Sequence, residues 1–285
     1  MQHQTVTARG TQFHVARLGA GPPLLLLHGW PEFWRTWEPV MHRLQDRFTL
    51  IAPDLRGFGE SDKPGGPWGA TEHAADMLAV LDALGIERAG VVGHDVGGAV
   101  IQAMARQAPA QLSGLFLFNF SYPGIGPRMG APDRLREIWY QSFHGTDFAP
   151  ALVGASREAC RAYIGYFLRH WSYHKDAFDD VLEDWVDNFL RPGNLEGGFA
   201  YYRAAQADRV RMMEGILPAL PAITVPTCVR WTEHDAIFPY AWTDRLGETF
   251  SQLDLALFKD AGHFPHWETP DRAAAEIARF FSTGP

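Results

Sequence analysis

The chain has 285 residues, a net charge of −8 and a pI near 5.8, a balance that argues against a nucleic-acid or anionic-membrane surface as its partner. With 46% hydrophobic and 20% charged residues it reads as a globular protein, long enough for one large domain or a core carrying an insertion. Its two cysteines, Cys160 and Cys228, imply no disulfide framework. The amino-terminal segment has no signal-peptide pattern, and no apolar run nears the roughly 18 residues of a membrane span. A cytoplasmic protein is expected.

In chain order, Pro23-Leu24-Leu25-Leu26-Leu27 reads as a fully buried strand, followed by a helix near residues 36–44. Residues 48–52 form the next strand, and 72–84 a helix with apolar residues at helical spacing. Ala89-Gly90-Val91-Val92 is a third buried strand, residues 99–105 a helix, and 115–118 a fourth strand. Buried apolar strands separated by helices imply a parallel sheet covered on both faces. From about 127 to 215 the periodicity turns helical, and the stretch carries 15 of the 37 aromatic residues, a density that fits a thick core or an apolar pocket. Alternation resumes with a strand at 222–231, a helix near 241–246, a strand at Leu253–Phe258 and an amphipathic helix at 270–281. The expected organisation is therefore one α/β core, residues 1–126 and 216–285, interrupted by a helical insertion, residues 127–215.

Between the third strand and its helix lies Gly93-His94-Asp95-Val96-Gly97-Gly98. Strand, Gly-x-nucleophile-x-Gly and helix make a nucleophile elbow, whose glycines permit the sharp turn that lifts one side chain above the sheet. Asp95 stands where a serine hydrolase carries its serine. An ordinary carboxylate is already an anion at pH 7. Attack on an ester would give a reactive anhydride, whereas displacement at saturated carbon leaves a stable ester. The competing interpretation of the motif is a plain glycine turn between strand and helix.

Three further segments fit the same site. His28-Gly29-Trp30-Pro31 closes a strand, and the backbone N–H groups of Trp30 and Val96 can form an oxyanion hole. Asp235 follows the strand at 222–231, where an acid that orients a histidine would sit. His263, after Gly262, follows the strand at Leu253–Phe258. The order Asp95, Asp235, His263 is nucleophile, acid, base. His266 competes with His263, and Glu233 with Asp235.

These motifs, together with Asp54-Leu55-Arg56-Gly57-Phe58-Gly59-Glu60-Ser61-Asp62, resemble those of α/β-hydrolases with an aspartate nucleophile and a helical cap: soluble epoxide hydrolases, haloalkane dehalogenases and haloacetate dehalogenases. The resemblance spans essentially the whole chain and implies a mostly parallel sheet flanked by helices. Haloalkane dehalogenases follow the nucleophile with a Trp that holds the halide; here it is Val96. Haloacetate dehalogenases clamp the substrate carboxylate with Arg at that position and three residues on, where this chain has Val96 and Ala99. They also take the orienting acid from the end of the strand before the cap, which here is Asn119. Many epoxide hydrolases have Trp after the nucleophile, so Val96 departs from that pattern too.

Epoxide hydrolases bring two cap tyrosines to the ring oxygen, and the resemblance assigns these to Tyr140 and Tyr202, with Tyr201 as the alternative for the second. Arg169-His170-Trp171 is loosely similar to dehalogenase-like relatives. The implied function is conversion of an apolar epoxide to a vicinal diol, with no cofactor and no metal. The implied partner is a small apolar substrate, with monomer and homodimer both open. The alternatives are a dehalogenase using the same Asp95 and His263, and a non-enzymatic binding protein on this fold.

Overall fold

A computed structural model describes residues 1–66, 68–216 and 219–283. Its strands are β1 (Gln2–Ala8), β2 (Thr11–Leu18), β3 (Pro23–Leu27), β4 (Thr49–Pro53), β5 (Ala89–His94), β6 (Leu112–Phe118), β7 (Thr227–Thr232) and β8 (Leu253–Phe258). The helices of the sheet layers are α1 (Glu38–Leu44), α2 (Ala70–Ala83) and α3 (Val96–Gln107). Between β6 and β7 lie α4 (Leu135–His144), α5 (Phe148–Val153), α6 (Arg157–Trp171), α7 (Leu182–Phe189) and α8 (Asn194–Met213). The chain closes with α9 (Leu246–Thr249), α10 (Pro265–Glu268) and α11 (Pro270–Thr283).

The eight strands form one sheet in the order β1-β2-β4-β3-β5-β6-β7-β8, antiparallel at β1/β2 and β2/β4 and parallel elsewhere. Successive strand residues point to opposite faces, which divides the core in two. Leu25, Leu27, Val91, Leu115 and Leu117 belong to the cluster that includes Ala74, Met77 and Leu81 of α2 and Val100, Ile101 and Met104 of α3. Leu24, Leu26, Val92, Phe116 and Phe118 belong to the cluster with Val40, Met41 and Leu44 of α1 and Ala273, Ala274, Ile277 and Ala278 of α11. Continuous apolar strands are what a sheet buried on both faces requires.

The expected alternation of strands and helices is present, with three adjustments. The antiparallel β1/β2 hairpin was not expected. It turns on Arg9 and Gly10, both at positive φ, 49° and 72°, the backbone of a two-residue hairpin loop. The strand expected at 222–231 is shorter, because Pro226 has no N–H for the ladder; before it, Ile223 makes only an isolated bridge to Phe250. The helix expected near 241–246 is a 3₁₀ turn, Tyr240–Arg245, leading into α9.

Strand β3 lies between β4 and β5, so the direction of winding reverses there. The carboxyl ends of β3 and β5 consequently flank a crevice, the usual ligand position in such sheets. Among the described residues no helix is long and apolar enough to cross a membrane.

The first turn of α3 sits directly on the end of β3. A Cβ on Gly97 would lie 2.2 Å from the Leu27 carbonyl oxygen and 2.9 Å from that of His28. Gly97→Ala should therefore cost about 1–3 kcal/mol by overpacking, read as a lowered urea midpoint. A wild-type midpoint would show that this contact does not constrain the turn.

Candidate active site

Asp95 forms the turn between β5 and α3 with φ 49° and ψ −113°, a region that non-glycine residues seldom occupy and that costs on the order of 1–3 kcal/mol. The surroundings enforce it. The Asp95 N–H donates to the Asn119 carbonyl at 3.0 Å, and the Asp95 carbonyl accepts from Gly98 N–H at 3.0 Å. The carboxylate Oδ2 accepts from the Trp30 N–H at 3.0 Å. A side chain at residue 29 would collide with Asp95, since a Cβ there would lie 2.6 Å from the Asp95 Cβ. Val96 opens α3 and lines the cavity above Asp95.

The structure brings Asp235 and His263 together, with Asp235 Oδ2 2.8 Å from His263 Nδ1. The other Asp235 oxygen accepts from the Ile237 and Phe238 N–H groups at 2.7 and 3.0 Å, which fixes the carboxylate. The His263 N–H donates to the Trp171 carbonyl at 2.8 Å, so the end of α6 helps to place the histidine. Burial works against protonation of His263. The charge and hydrogen bond of Asp235, and then the charges of Asp95 and Glu32, outweigh it and raise the pKa to about 9. Burial raises that of Asp95, although His263, His94 and the Trp30 hydrogen bond oppose it.

The competing residues lie elsewhere. His266 is fully buried beside Glu32, 2.8 Å from its Oε1, and burial lowers its pKa to about 4. Glu233 is exposed and unsuited to orienting a buried imidazole. His170 is partly exposed and pairs with Glu137 at 2.7 Å.

Sequence reasoning missed the residue that organises the loops. Glu32, fully buried, accepts from Gly29 N–H at 2.8 Å, Thr36 Oγ1 at 2.6 Å, and the rings of His94 and His266, each at 2.8 Å. Burial pushes its pKa up, but the two imidazoles outweigh this and hold it well below the carboxylate range. Glu32, His94 and His266 place ligand-type atoms within 4.8 Å of one another. Each Glu32 oxygen already accepts two hydrogen bonds, so the carboxylate is satisfied, while the far ring nitrogens, His94 Nε2 and His266 Nδ1, are buried without a partner. Asn119 was also missed. Its Nδ2 donates to the carbonyls of Gly262 and His263 at 3.2 and 3.1 Å, and to Thr232 Oγ1 at 2.9 Å. An amide here braces the histidine loop where a carboxylate could not donate.

The helices between β6 and β7 close over Trp30. Its indole stacks on Tyr140 with centroids 5.5 Å apart, and meets Tyr202 edge-on at 5.8 Å and Trp171 at 5.7 Å. Tyr140 and Tyr202 are 5.6 Å apart. Both are buried, and burial followed by negative or phenolic neighbours raises their pKa values above the ordinary 10. Tyr201 also lines the cavity, but its ring meets His73 and Tyr202. The cavity encloses about 560 Å³ and is lined by Asp95, Val96, Tyr140, Tyr202 and Phe238 among others, a size suited to a small organic ligand.

Residues 22–270 match the family described as the alpha/beta hydrolase fold. The chain is 30% identical to a soluble epoxide hydrolase of Corynebacterium sp. strain C12, over 98% of this chain and 97% of that one. Among solved structures, wild-type Cfl2 from Burkholderia cenocepacia is similar at a TM-score of 0.86 with 29% identity, covering 98% of this chain and 95% of that one. The unliganded epoxide hydrolase CorEH is similar at 0.85 with 26% identity, covering 99% of both chains. The chain belongs to the α/β-hydrolase-fold family, and it is a hydrolase.

The electrostatic coupling of Asp95 to His263 is directly measurable. His263 should titrate near 9 in wild type by histidine NMR, and Asp95→Asn should lower that value by deleting one of the charges that raise it. Because the folded pKa lies above the ordinary 6.5, the associated stabilisation is complete below pH 6.5 and is lost as pH rises through 9. An unchanged pKa in Asp95→Asn would mean that the two groups are not coupled.

Proposed function

We propose that the protein is an epoxide hydrolase acting through a covalent Asp95 ester, with residues 127–215 serving as a cap. The observation that carries this reading is the placement of two buried phenols, Tyr140 and Tyr202, in the same cavity as Asp95, with the Asp235–His263 pair beside it. The 30% identity to a soluble epoxide hydrolase along nearly the full length supports it.

In this mechanism an Asp95 oxygen attacks a ring carbon and the carbon–oxygen bond of the epoxide breaks. The emerging alkoxide needs a proton or a strong hydrogen bond. Tyr140 and Tyr202, neutral at pH 7, supply it. The product of this step is a β-hydroxyalkyl ester of Asp95. Ester formation removes the Asp95 charge, one of the charges that hold the His263 pKa high, so His263 becomes more able to act as a base. Oriented by Asp235, it takes a proton from water, and the hydroxide attacks the ester carbonyl. The Trp30 and Val96 N–H groups hold the tetrahedral oxyanion. Collapse releases the vicinal diol and regenerates the Asp95 carboxylate, and the proton taken up by His263 returns to the phenolate, restoring both groups.

One observation favours dehalogenation as a second reading. The indole N–H groups of Trp30 and Trp171 are buried without a hydrogen-bond partner, and such groups can hold a departing halide. Against it, His170 pairs with Glu137, and the side chains of Val96 and Ala99 have no donor for a halide or a carboxylate.

The two readings separate on substrate. Wild-type protein should form diol from aryl and alkyl epoxides and release no halide from haloalkanes or haloacetate. Replacing both phenols, Tyr140→Phe with Tyr202→Phe, should slow ring opening by about 10²–10⁴, the usual worth of general-acid assistance, and each single variant should lose less. Halide release without diol would replace the epoxide reading with the second one.

A further inference from the structure

The cavity above Asp95 changes character toward its mouth. On α8, Tyr202, Ala205, Arg209 and Met212 line it at intervals of three, seven and ten residues, one continuous helix face. Arg106 of α3 lines it too, as do the exposed Arg211 and Asp208 at its rim. Three guanidiniums against one rim carboxylate is an unexpected balance in a chain of net charge −8.

Arg209 and Arg106 are half-buried, and among the described residues neither forms an ion pair. The Arg209 guanidinium reaches the Gln141 carbonyl only at 3.5 Å. Arg106 donates to the carbonyls of Gln102 at 3.1 Å and Pro221 at 3.4 Å. Burial lowers the pKa of both, and no carboxylate offsets it. Arg134 and Arg203 are also half-buried and donate only to carbonyls, but neither lines the cavity, and other arginines are paired. Arg56, Arg157 and Arg230, for example, each bind a carboxylate. A desolvated guanidinium without an acid partner on a ligand-sized cavity is a preformed receptor for an anion, and its planar fork matches a carboxylate.

We infer that the cavity takes an epoxide whose apolar body ends in a carboxylate, bound by Arg209 together with Arg106. This rests on the epoxide-hydrolase reading and specifies its substrate class. Seven residues of helix separate Tyr202 from Arg209, about 10 Å, and long side chains lean back toward the helix amino terminus. The carboxylate therefore sits within about 10 Å of the ring oxygen, a span that roughly four to eight methylenes can cover. Ala205, between Tyr202 and Arg209 on the helix, and the apolar lining residues Val96 and Phe238 suit an alkyl chain.

The test compares terminal epoxides bearing a carboxylate after four and after eight methylenes, each set against its primary amide. In wild type at least one acid should exceed its amide about tenfold in kcat/KM, and high salt should erode the preference. Arg209→Gln should reduce the acid-to-amide ratio at least fivefold, through KM rather than kcat, because an interaction remote from the reacting atoms binds ground state and transition state alike. Arg106→Gln should do the same more weakly. Turnover of the amides with no preference for either acid would overturn the inference and leave the epoxide reading standing. Failure to turn over any epoxide would overturn that reading instead. The anion site would then be decided by thermal shift with octanoate against octanamide: a shift by octanoate alone, lost in Arg209→Gln, supports it, and equal or absent shifts refute it.

Discussion

Glu32 places a negative charge with no access to solvent directly behind the candidate active site, and the loops that build the site converge on it. Gly29 belongs to the loop after β3, His94 ends β5 next to Asp95, and His266 opens the helix after the His263 loop; all three donate to this one carboxylate. Breaking such a buried arrangement by removing one partner typically costs about 3–5 kcal/mol. The positions of the Trp30 amide, the Asp95 turn and the His263 loop are therefore set jointly. The strained φ of Asp95 is tolerable for the same reason, since hydrogen bonds from several elements over-determine the turn.

Trp30 carries that frame into the helices between β6 and β7. Its amide faces Asp95 while its indole fills the middle of an aromatic cluster formed by Tyr140, Trp171 and Tyr202. A second seam lies at Gly57 and Gly197, where a Cβ on Gly197 would fall 2.0 Å from the Gly57 carbonyl. The loop after β4 and the first turn of α8 thus touch backbone to backbone. These contacts hold the helices that carry Tyr140 and Tyr202 against the loops around Asp95. In the proposed mechanism a small change at either seam would move the phenols relative to the Asp95 oxygen, and positioning errors of that kind are costly to catalysis.

Much of the frame was legible in the sequence because its signals are local. Buried strands announce themselves as apolar runs, and the elbow as glycines around Asp95. The pairing of Asp235 with His263 followed from their order and their positions after strands. The signals that failed are those in which one residue serves several distant partners. Glu32 follows the His-Gly-Trp-Pro motif at once, yet nothing local shows that His94 and His266 will donate to it. Asn119 looked like the end of a strand and proves to be a brace for the histidine loop. The β1/β2 hairpin turns on Arg9-Gly10, a weaker turn signal than Asn-Gly or Asp-Gly. Tyr201 and Tyr202 were inseparable by spacing; both line the cavity, and of the two it is the Tyr202 ring that meets Trp30 and Tyr140, which supports the proposed choice of Tyr202.

In the proposed mechanism Asp95 becomes covalently bound during turnover. His263→Ala retains the attacking carboxylate and lacks the base for the second half-reaction, so exposure to an epoxide that wild type consumes should leave one substrate-sized adduct on the intact protein. Peptide mapping by mass spectrometry should place that adduct on Asp95. An adduct-free variant under conditions where wild type turns over, or an adduct on any other residue, would contradict the account.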